Sequence, residues 1–265
     1  MYLRSYLLIS KKIKLGATFG AIAALVIAAT TATGATSWTY TGLTGPSHWG
    51  TIDKTNYATC VDGTAQSPID IVNPVRADLV NLKFNYQKSE AGIFNNGHTV
   101  EAEPLGASKS AVTIDGVTYN FAQFHFHAPS EHEITGMHYP VEIHFVNKSA
   151  DGKLAVVGVF VKAGAENAAW KEFTDHLTTA TADPEATKVE LDWLRLLPRN
   201  PITVRYNGSL TTPGCTEGVK WNVFTHPITM SQAQINSFLE AYSGNNRPVQ
   251  PLNGRTVQID STITK

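Results

Sequence analysis

Two short runs carry the residues best suited to chemistry: Gln123-Phe124-His125-Phe126-His127 and Glu142-Ile143-His144-Phe145. Side chains alternate between the two faces of a strand, so in an extended chain Gln123, His125 and His127 share one face while Phe124 and Phe126 take the other. The second run repeats the pattern, with Glu142 and His144 on one face and Val141, Ile143 and Phe145 opposite. Two such strands paired antiparallel bring three imidazoles together beside a Gln and a Glu. One histidine among phenylalanines is ordinarily a satisfied core residue. Three unpaired imidazoles on matched faces are costly to bury without a ligand, which points to a metal ion. Three imidazoles with a fourth position open describe a catalytic zinc site rather than a closed structural one. Gln123 and Glu142 can then each accept the outer N–H of a ligating histidine and fix its tautomer.

The elements that must position these residues are mostly strands. β-type runs are expected at Val112–Tyr119 around the turn Asp115-Gly116, then at Phe121–His127, Val141–Val146 and Leu154–Val161. Further runs are Ile202–Tyr206, Val219–Thr225 and Thr256–Ile259. Asp151-Gly152 is a hairpin signal between two of the central runs. Helices are few: Ala169, Trp170, Phe173 and Leu177 follow helical spacing. Ser231-Gln232-Ala233-Gln234 predicts a capping box, with Ile235, Phe238, Leu239 and Tyr242 as the apolar stripe behind it. These features predict a mostly antiparallel sheet with peripheral helices, in one domain without repeats or low-complexity linkers.

The first 35 residues stand apart from that domain. Arg4, Lys11, Lys12 and Lys14 precede an apolar run, Leu15 to Ala29, which small residues follow; no acidic residue occurs before Asp53. That order predicts a secretory signal peptide over residues 1–35, cleaved between Thr30 and Ser37, and a mature domain over 36–265. An uncleaved anchor is the alternative, although the run from Ile13 is about 17 residues where a span needs ~20. Removing the segment's four cations takes the net charge from −1 to −5. A mildly acidic domain argues against nucleic acid or an anionic membrane as partner, and no stable membrane insertion is expected after cleavage. The two cysteines, Cys60 and Cys215, both lie in the exported part and predict one disulfide, with two free buried thiols as the alternative. Their spacing excludes a CxxC motif, so a metal site has to come from histidines and carboxylates.

On spacing alone a cupin-type site stays open: His125-x-His127-x3-Glu131 would make Glu131 a ligand to iron, manganese or nickel. Against it, Gly136 comes too early and His144 follows within one hairpin. The segments QFHFHAPSEH (123–132), VEIHFV (141–146) and YNGSLTTPGCTEGVKW (206–221) resemble those of α-class carbonic anhydrases. HWG at His48, QSPIDI at Gln66, NNGHTV at Asn95 and RPVQPLNGR at Arg247 extend the resemblance in family order over essentially the whole mature chain. The short connection between His127 and Glu131 and the cysteine pair are similar to the bacterial secreted branch.

This resemblance implies an α/β, β-dominated single domain around a twisted, mainly antiparallel sheet of about ten strands. It implies a zinc lyase, exported to the periplasm or secreted, that interconverts carbon dioxide and bicarbonate by zinc-bound hydroxide attack; a homodimer stays open. His125, His127 and His144 correspond to zinc ligands. Glu131 corresponds to a non-ligand carboxylate that accepts from the Thr211 hydroxyl and so orients the nucleophile. His98 matches a proton shuttle. Val100, Val146, Val156, Leu210, Thr212 and Trp221 match the substrate pocket, and His132 a buried position beside Glu131. His48, His138, His176 and His226 carry no assigned role. Three positions depart from the family pattern: Thr51 for a Tyr, Glu101 for an amide of the cavity wall, and Gly214 for a Pro in the Thr211 turn. Glu101 is expected to raise the pKa of His98, and Gly214 to loosen the Thr211 loop unless the disulfide compensates.

Overall fold

The computed structural model describes residues 37–260, and the expected signal peptide lies outside the described residues. The main element is a 13-stranded mixed sheet, wider than the ten strands expected. Its ordered path runs Lys188–Asp192, Lys88–Asn95, Val100–Pro104, Val117–His127, Val141–Ser149, Leu154–Ala163, Glu217–Phe224, Thr203–Ser209, Gln258–Asp260 and Val75–Ala77. Three short strands pair beside this path, which accounts for the difference. Most neighbours are antiparallel. Leu154–Ala163 pairs in parallel with Glu217–Phe224 and with Ile228–Met230, and Gln258–Asp260 does so with Val75–Ala77.

Local chemistry explains the tight connections. Asp115 and Gly116 both adopt positive φ, 50° and 79°, as a primed hairpin turn demands. The expected run Val112–Tyr119 divides at that turn into Ala111–Ile114 and the start of Val117–His127, the strand that also takes in the expected run Phe121–His127, with an irregularity between Phe121 and Gln123. That break matters because alternation is counted from Gln123 onward.

Helices among the described residues are short. The longest of them, Gln232–Ala241, starts at the expected capping box: the Gln234 N–H donates to Ser231 Oγ and the Ser231 N–H to Gln234 Oε1, each at 3.2 Å. Ile235 and Phe238 are buried as expected, but Leu239 is 39% exposed, because a ten-residue helix buries a narrower stripe than the spacing suggested. The helical run expected from Ala169 to Leu177 is a 3₁₀ turn, Ala168–Trp170, followed by one α-turn, Lys171–Thr174.

The sheet separates two apolar bodies. Phe124, Phe126, Ile143 and Phe145 point into the larger core, where Trp170, Phe173 and Trp193 pack edge-on or tilted against Phe124 and its neighbours. Val146, Val156, Tyr206 and Trp221 belong to the second body. A third cluster joins Trp49 and Tyr57 to Cys60 and Cys215, which are disulfide-bonded. Among the described residues no helix is long and apolar enough to cross a membrane.

Candidate metal centre

The strand register builds the site. Val117–His127 and Val141–Ser149 pair antiparallel with His125 directly opposite His144 and His127 opposite Glu142. Alternation turns the phenylalanines into the larger core and the three imidazoles to the other face, as the sequence pattern predicts. Each imidazole offers one ring nitrogen, and the three nitrogens lie within 4.8 Å of one another.

The opposite nitrogens are held. His125 Nδ1 lies 2.9 Å from Gln123 Oε1, and His127 Nδ1 donates to the backbone carbonyl of Asn245 at 2.7 Å. His144 Nε2 is 3.0 Å from Glu142 Oε1, close but out of line for a hydrogen bond. Glu142 is fastened independently, since Oε2 accepts the backbone N–H groups of Glu131 and His132 at 2.9 and 2.8 Å. His132 completes this chain, with Nδ1 2.7 Å from Glu142 Oε1 and Nε2 2.6 Å from the Tyr206 hydroxyl. His132, Glu142 and His144 also lie close enough to hold an ion, but these prior bonds commit two of the three to each other.

Burial sets the charge state. Desolvation, with the neighbouring imidazoles, pushes His125 well below its ordinary pKa, and burial takes His127 down to about 4. His144 is lowered too, by burial first. All three are therefore neutral near pH 7, the form that ligates metal. Burial alone would raise Glu142, but His132 and His144 beside it hold the carboxyl well below the usual range. His127 Nε2 is fully enclosed and has no hydrogen-bond partner, and Glu131 Oε2, 3.5 Å away, has none either. Buried polar atoms are rarely left so, and an ion seated among the three imidazoles satisfies the nitrogen. The residues present fit zinc in number and type.

Glu131 sits behind the triad rather than within it. Its Oε1 accepts the Arg247 backbone N–H at 2.8 Å, and the Thr211 hydroxyl also donates to this carboxylate. Burial raises Glu131 to about 7 against the pull of His144, Arg247 and Thr211. Arg247 is itself buried: its guanidinium donates to Gln66 Oε1 and the Ser67 carbonyl at 2.8 Å, and to the Cys60 carbonyl at 3.1 Å. The Thr211 turn is thus tied back at two points, through Glu131 and through Cys215. Gly214 has φ +96°, a conformation closed to proline, so the departure from the family's Pro brings its own turn geometry, which the disulfide at Cys215 anchors.

The three imidazoles open onto a cavity of about 820 Å³. Val146, Val156, Leu210 and Trp221 form an apolar wall, with Thr211 and Thr212 beside it. Val100 does not belong to that wall. It packs in the larger core, because alternation sends Thr99 and Glu101 to the cavity and Val100 away from it. His98 lines the cavity mouth and stacks on Trp38, with ring centroids 3.7 Å apart and planes within 7°. Its pKa is lowered by burial, contrary to the expected rise, and Glu101 accepts from the Asn96 side chain rather than pairing with His98. Thr51 bonds back to the His48 carbonyl and does not line the cavity.

Four contributors escaped the sequence reading: Trp38, Tyr40, Asn245 and the Arg247 backbone. The two aromatics sit in a segment with no periodicity. The other two act through a carbonyl and an N–H, which leave no trace in residue type.

A family model for eukaryotic-type carbonic anhydrase matches residues 44–261. A carbonic anhydrase from Klebsiella pneumoniae is 41% identical over 224 residues, covering 84% of this chain and 91% of the relative. One from Neisseria gonorrhoeae is 39% identical over 224 residues, covering 84% and 87%. Among solved structures, an α-carbonic anhydrase from Thermovibrio ammonificans in complex with sulfanilamide superposes with TM-score 0.78 at 41% identity, over 85% of this chain and all of that one. Dioscorin complexed with ascorbate shares the fold at TM-score 0.77 and 30% identity, over 87% of this chain and 100% of that one. These matches set the cupin-type alternative aside: the chain belongs to the eukaryotic-type, or α-class, carbonic anhydrase family.

Proposed function

We propose that this chain reversibly hydrates carbon dioxide to bicarbonate and a proton, using zinc held by His125, His127 and His144. The observation that supports this most is the set of three imidazoles with open nitrogens within 4.8 Å of one another, facing a cavity with one apolar wall. Zinc in such a site, as in carbonic anhydrases generally, supplies a nucleophile from water near neutral pH. The protein's own residues do the rest. Gln123 and the Asn245 carbonyl hold the outer nitrogens of His125 and His127, and Glu142 Oε1 stands 3.0 Å from that of His144, which limits how the rings can turn. Because the Thr211 hydroxyl donates its hydrogen bond to Glu131, its oxygen can only accept from a group in the cavity, which fixes where that group's lone pair points. Val146, Val156, Leu210 and Trp221 offer an apolar substrate a place from which water is excluded.

His98, at the cavity mouth and lowered in pKa by burial, takes the proton outward to buffer. Residues 1–35 direct export to the periplasm or beyond, where the Cys60–Cys215 bond persists. Metal analysis of the mature protein beside a hydration assay, with and without a zinc chelator, tests the core of this reading. One zinc per chain and chelator-sensitive hydration are expected. Full activity in a chain whose three histidines are all alanine would overturn it.

A further inference from the structure

The turn that carries His98 is built around one side chain. Asn96 Oδ1 accepts the backbone N–H groups of both His98 and Thr99, each at 2.9 Å, while the Asn96 N–H donates to the Thr99 carbonyl at 3.1 Å. Gly97 crosses the tip at φ +91°. An amide group has two distinct ends. With Oδ1 committed to the two N–H groups, Nδ2 has to point the other way, toward the cavity wall, and there it donates to Glu101 Oε1. Glu101 is 7% exposed and lines the same cavity. The far side of the turn is secured separately: the His98 carbonyl accepts from Asn245 Nδ2 at 3.2 Å, and Thr99 Oγ1 donates to the Phe126 carbonyl at 2.7 Å.

We infer that Glu101 is a positioning residue for the His98 turn: by accepting from Asn96 Nδ2 it fixes the amide's orientation and so keeps Oδ1 on the His98 and Thr99 N–H groups. The functional consequence rests on His98 carrying protons, as proposed above; the positioning itself does not. A side chain without an acceptor at position 101 frees the amide to rotate toward water. The two backbone N–H groups then lose their shared acceptor, and the ring of His98 loses its fixed approach to the cavity. An amide at the same position can still present an oxygen to Nδ2. What the unusual carboxylate preserves is therefore the acceptor, and the negative charge is incidental to this role.

The test compares Glu101→Leu, Glu101→Gln and His98→Ala in the zinc-loaded protein. Amide hydrogen exchange at His98 and Thr99 is expected to quicken by about fivefold to tenfold in Glu101→Leu, the loss of one ordinary hydrogen bond, and to stay near the parent rate in Glu101→Gln. Turnover at saturating carbon dioxide in dilute buffer should fall several-fold in Glu101→Leu, with kcat/KM unchanged and added imidazole restoring the rate. Unchanged exchange at both amides in Glu101→Leu, or equal quickening in Glu101→Gln, overturns the positioning role. If His98→Ala leaves buffer-limited turnover intact, the proton-transfer reading fails, and the exchange rates still decide the inference.

Discussion

His127 and Asn245 lie 118 residues apart, yet the imidazole Nδ1 of one donates to the backbone carbonyl of the other across 2.7 Å. The side chain of the same asparagine bonds the Ala128 N–H at 2.8 Å and the carbonyls of Phe126 and His98 at 3.1 and 3.2 Å. One residue therefore holds the end of the ligand strand and the His98 turn in a single register. Asn245→Ala removes all the side-chain bonds at a buried position and is expected to cost about 2–3 kcal/mol of stability. Zinc affinity should fall on the order of tenfold, as when the support of a ligating histidine is disturbed. Urea unfolding and competition with a chromogenic chelator measure the two effects.

Glu131→Gln and Thr211→Ala should separate metal holding from catalysis. Neither residue supplies one of the three open nitrogens, so zinc content is expected to stay at one per chain. Turnover should drop by about 10²–10³, the scale of losing one preorganised polar contact at a reacting group. An empty site in Glu131→Gln would make the carboxylate a ligand and contradict the proposed arrangement.

The stack of Trp38 on His98 sets a pH dependence. Burial disfavours the imidazolium, so the pKa of His98 lies below its ordinary 6.5. Trp38→Ala exposes the ring, and the midpoint should rise toward 6.5. An NMR titration of the His98 ring in both proteins reads this directly; a midpoint that stays put, or falls, contradicts the assignment of the shift to burial.

Glu101 makes the opposite kind of contribution to stability. Its folded pKa is raised to about 7 from 4.5, by burial first, so between those values the folded state holds the proton more often than the unfolded state does. Stability from this group is therefore lost as pH rises from about 4.5 through 7, by up to about 3 kcal/mol. Glu101→Gln should be more stable than the parent at pH 8 and no better at pH 4.5. Urea midpoints at the two pH values check it.

The Cys60–Cys215 bond closes a separation of 155 residues. Replacing both cysteines by serine is expected to cost about 2–4 kcal/mol, mostly through the freedom regained by the unfolded chain. Because Cys215 anchors the turn after Thr211 and Cys60 accepts from Arg247, turnover should fall with stability, measurable at a temperature where the variant remains folded.

The part of the site that depends on a repeating pattern was legible before any coordinates. His125, His127 and His144 share a face because the two strands alternate cleanly from Gln123 onward and pair His125 with His144. Legibility failed where no pattern exists. Val100 was assigned to the pocket by family position, but strand alternation turns it into the core. Asn245 and Arg247 reach His127 and Glu131 through backbone groups brought in by long-range folding, and any residue type can supply a carbonyl or an N–H. Of the three strands beyond the ten that the resemblance implies, Ala111–Ile114 lies in the hairpin expected around Asp115-Gly116, while Lys83–Asn85 and Ile228–Met230 are three residues each, too short for alternation to be detectable.

The long separations also impose an order of manufacture. A ribosome delivers His125, His127 and His144 well before Thr211, Asn245 and Arg247. A growing chain thus has its three imidazoles early but not the carbonyl that sets His127, nor the N–H that seats Glu131. Cys60 waits longer still, since its partner emerges 155 residues later. The centre can only be completed once Arg247 has been synthesised, so termination even a few residues before Asn245 yields a chain that owns every proposed ligand but lacks the carbonyl that orients His127 and the N–H that seats Glu131.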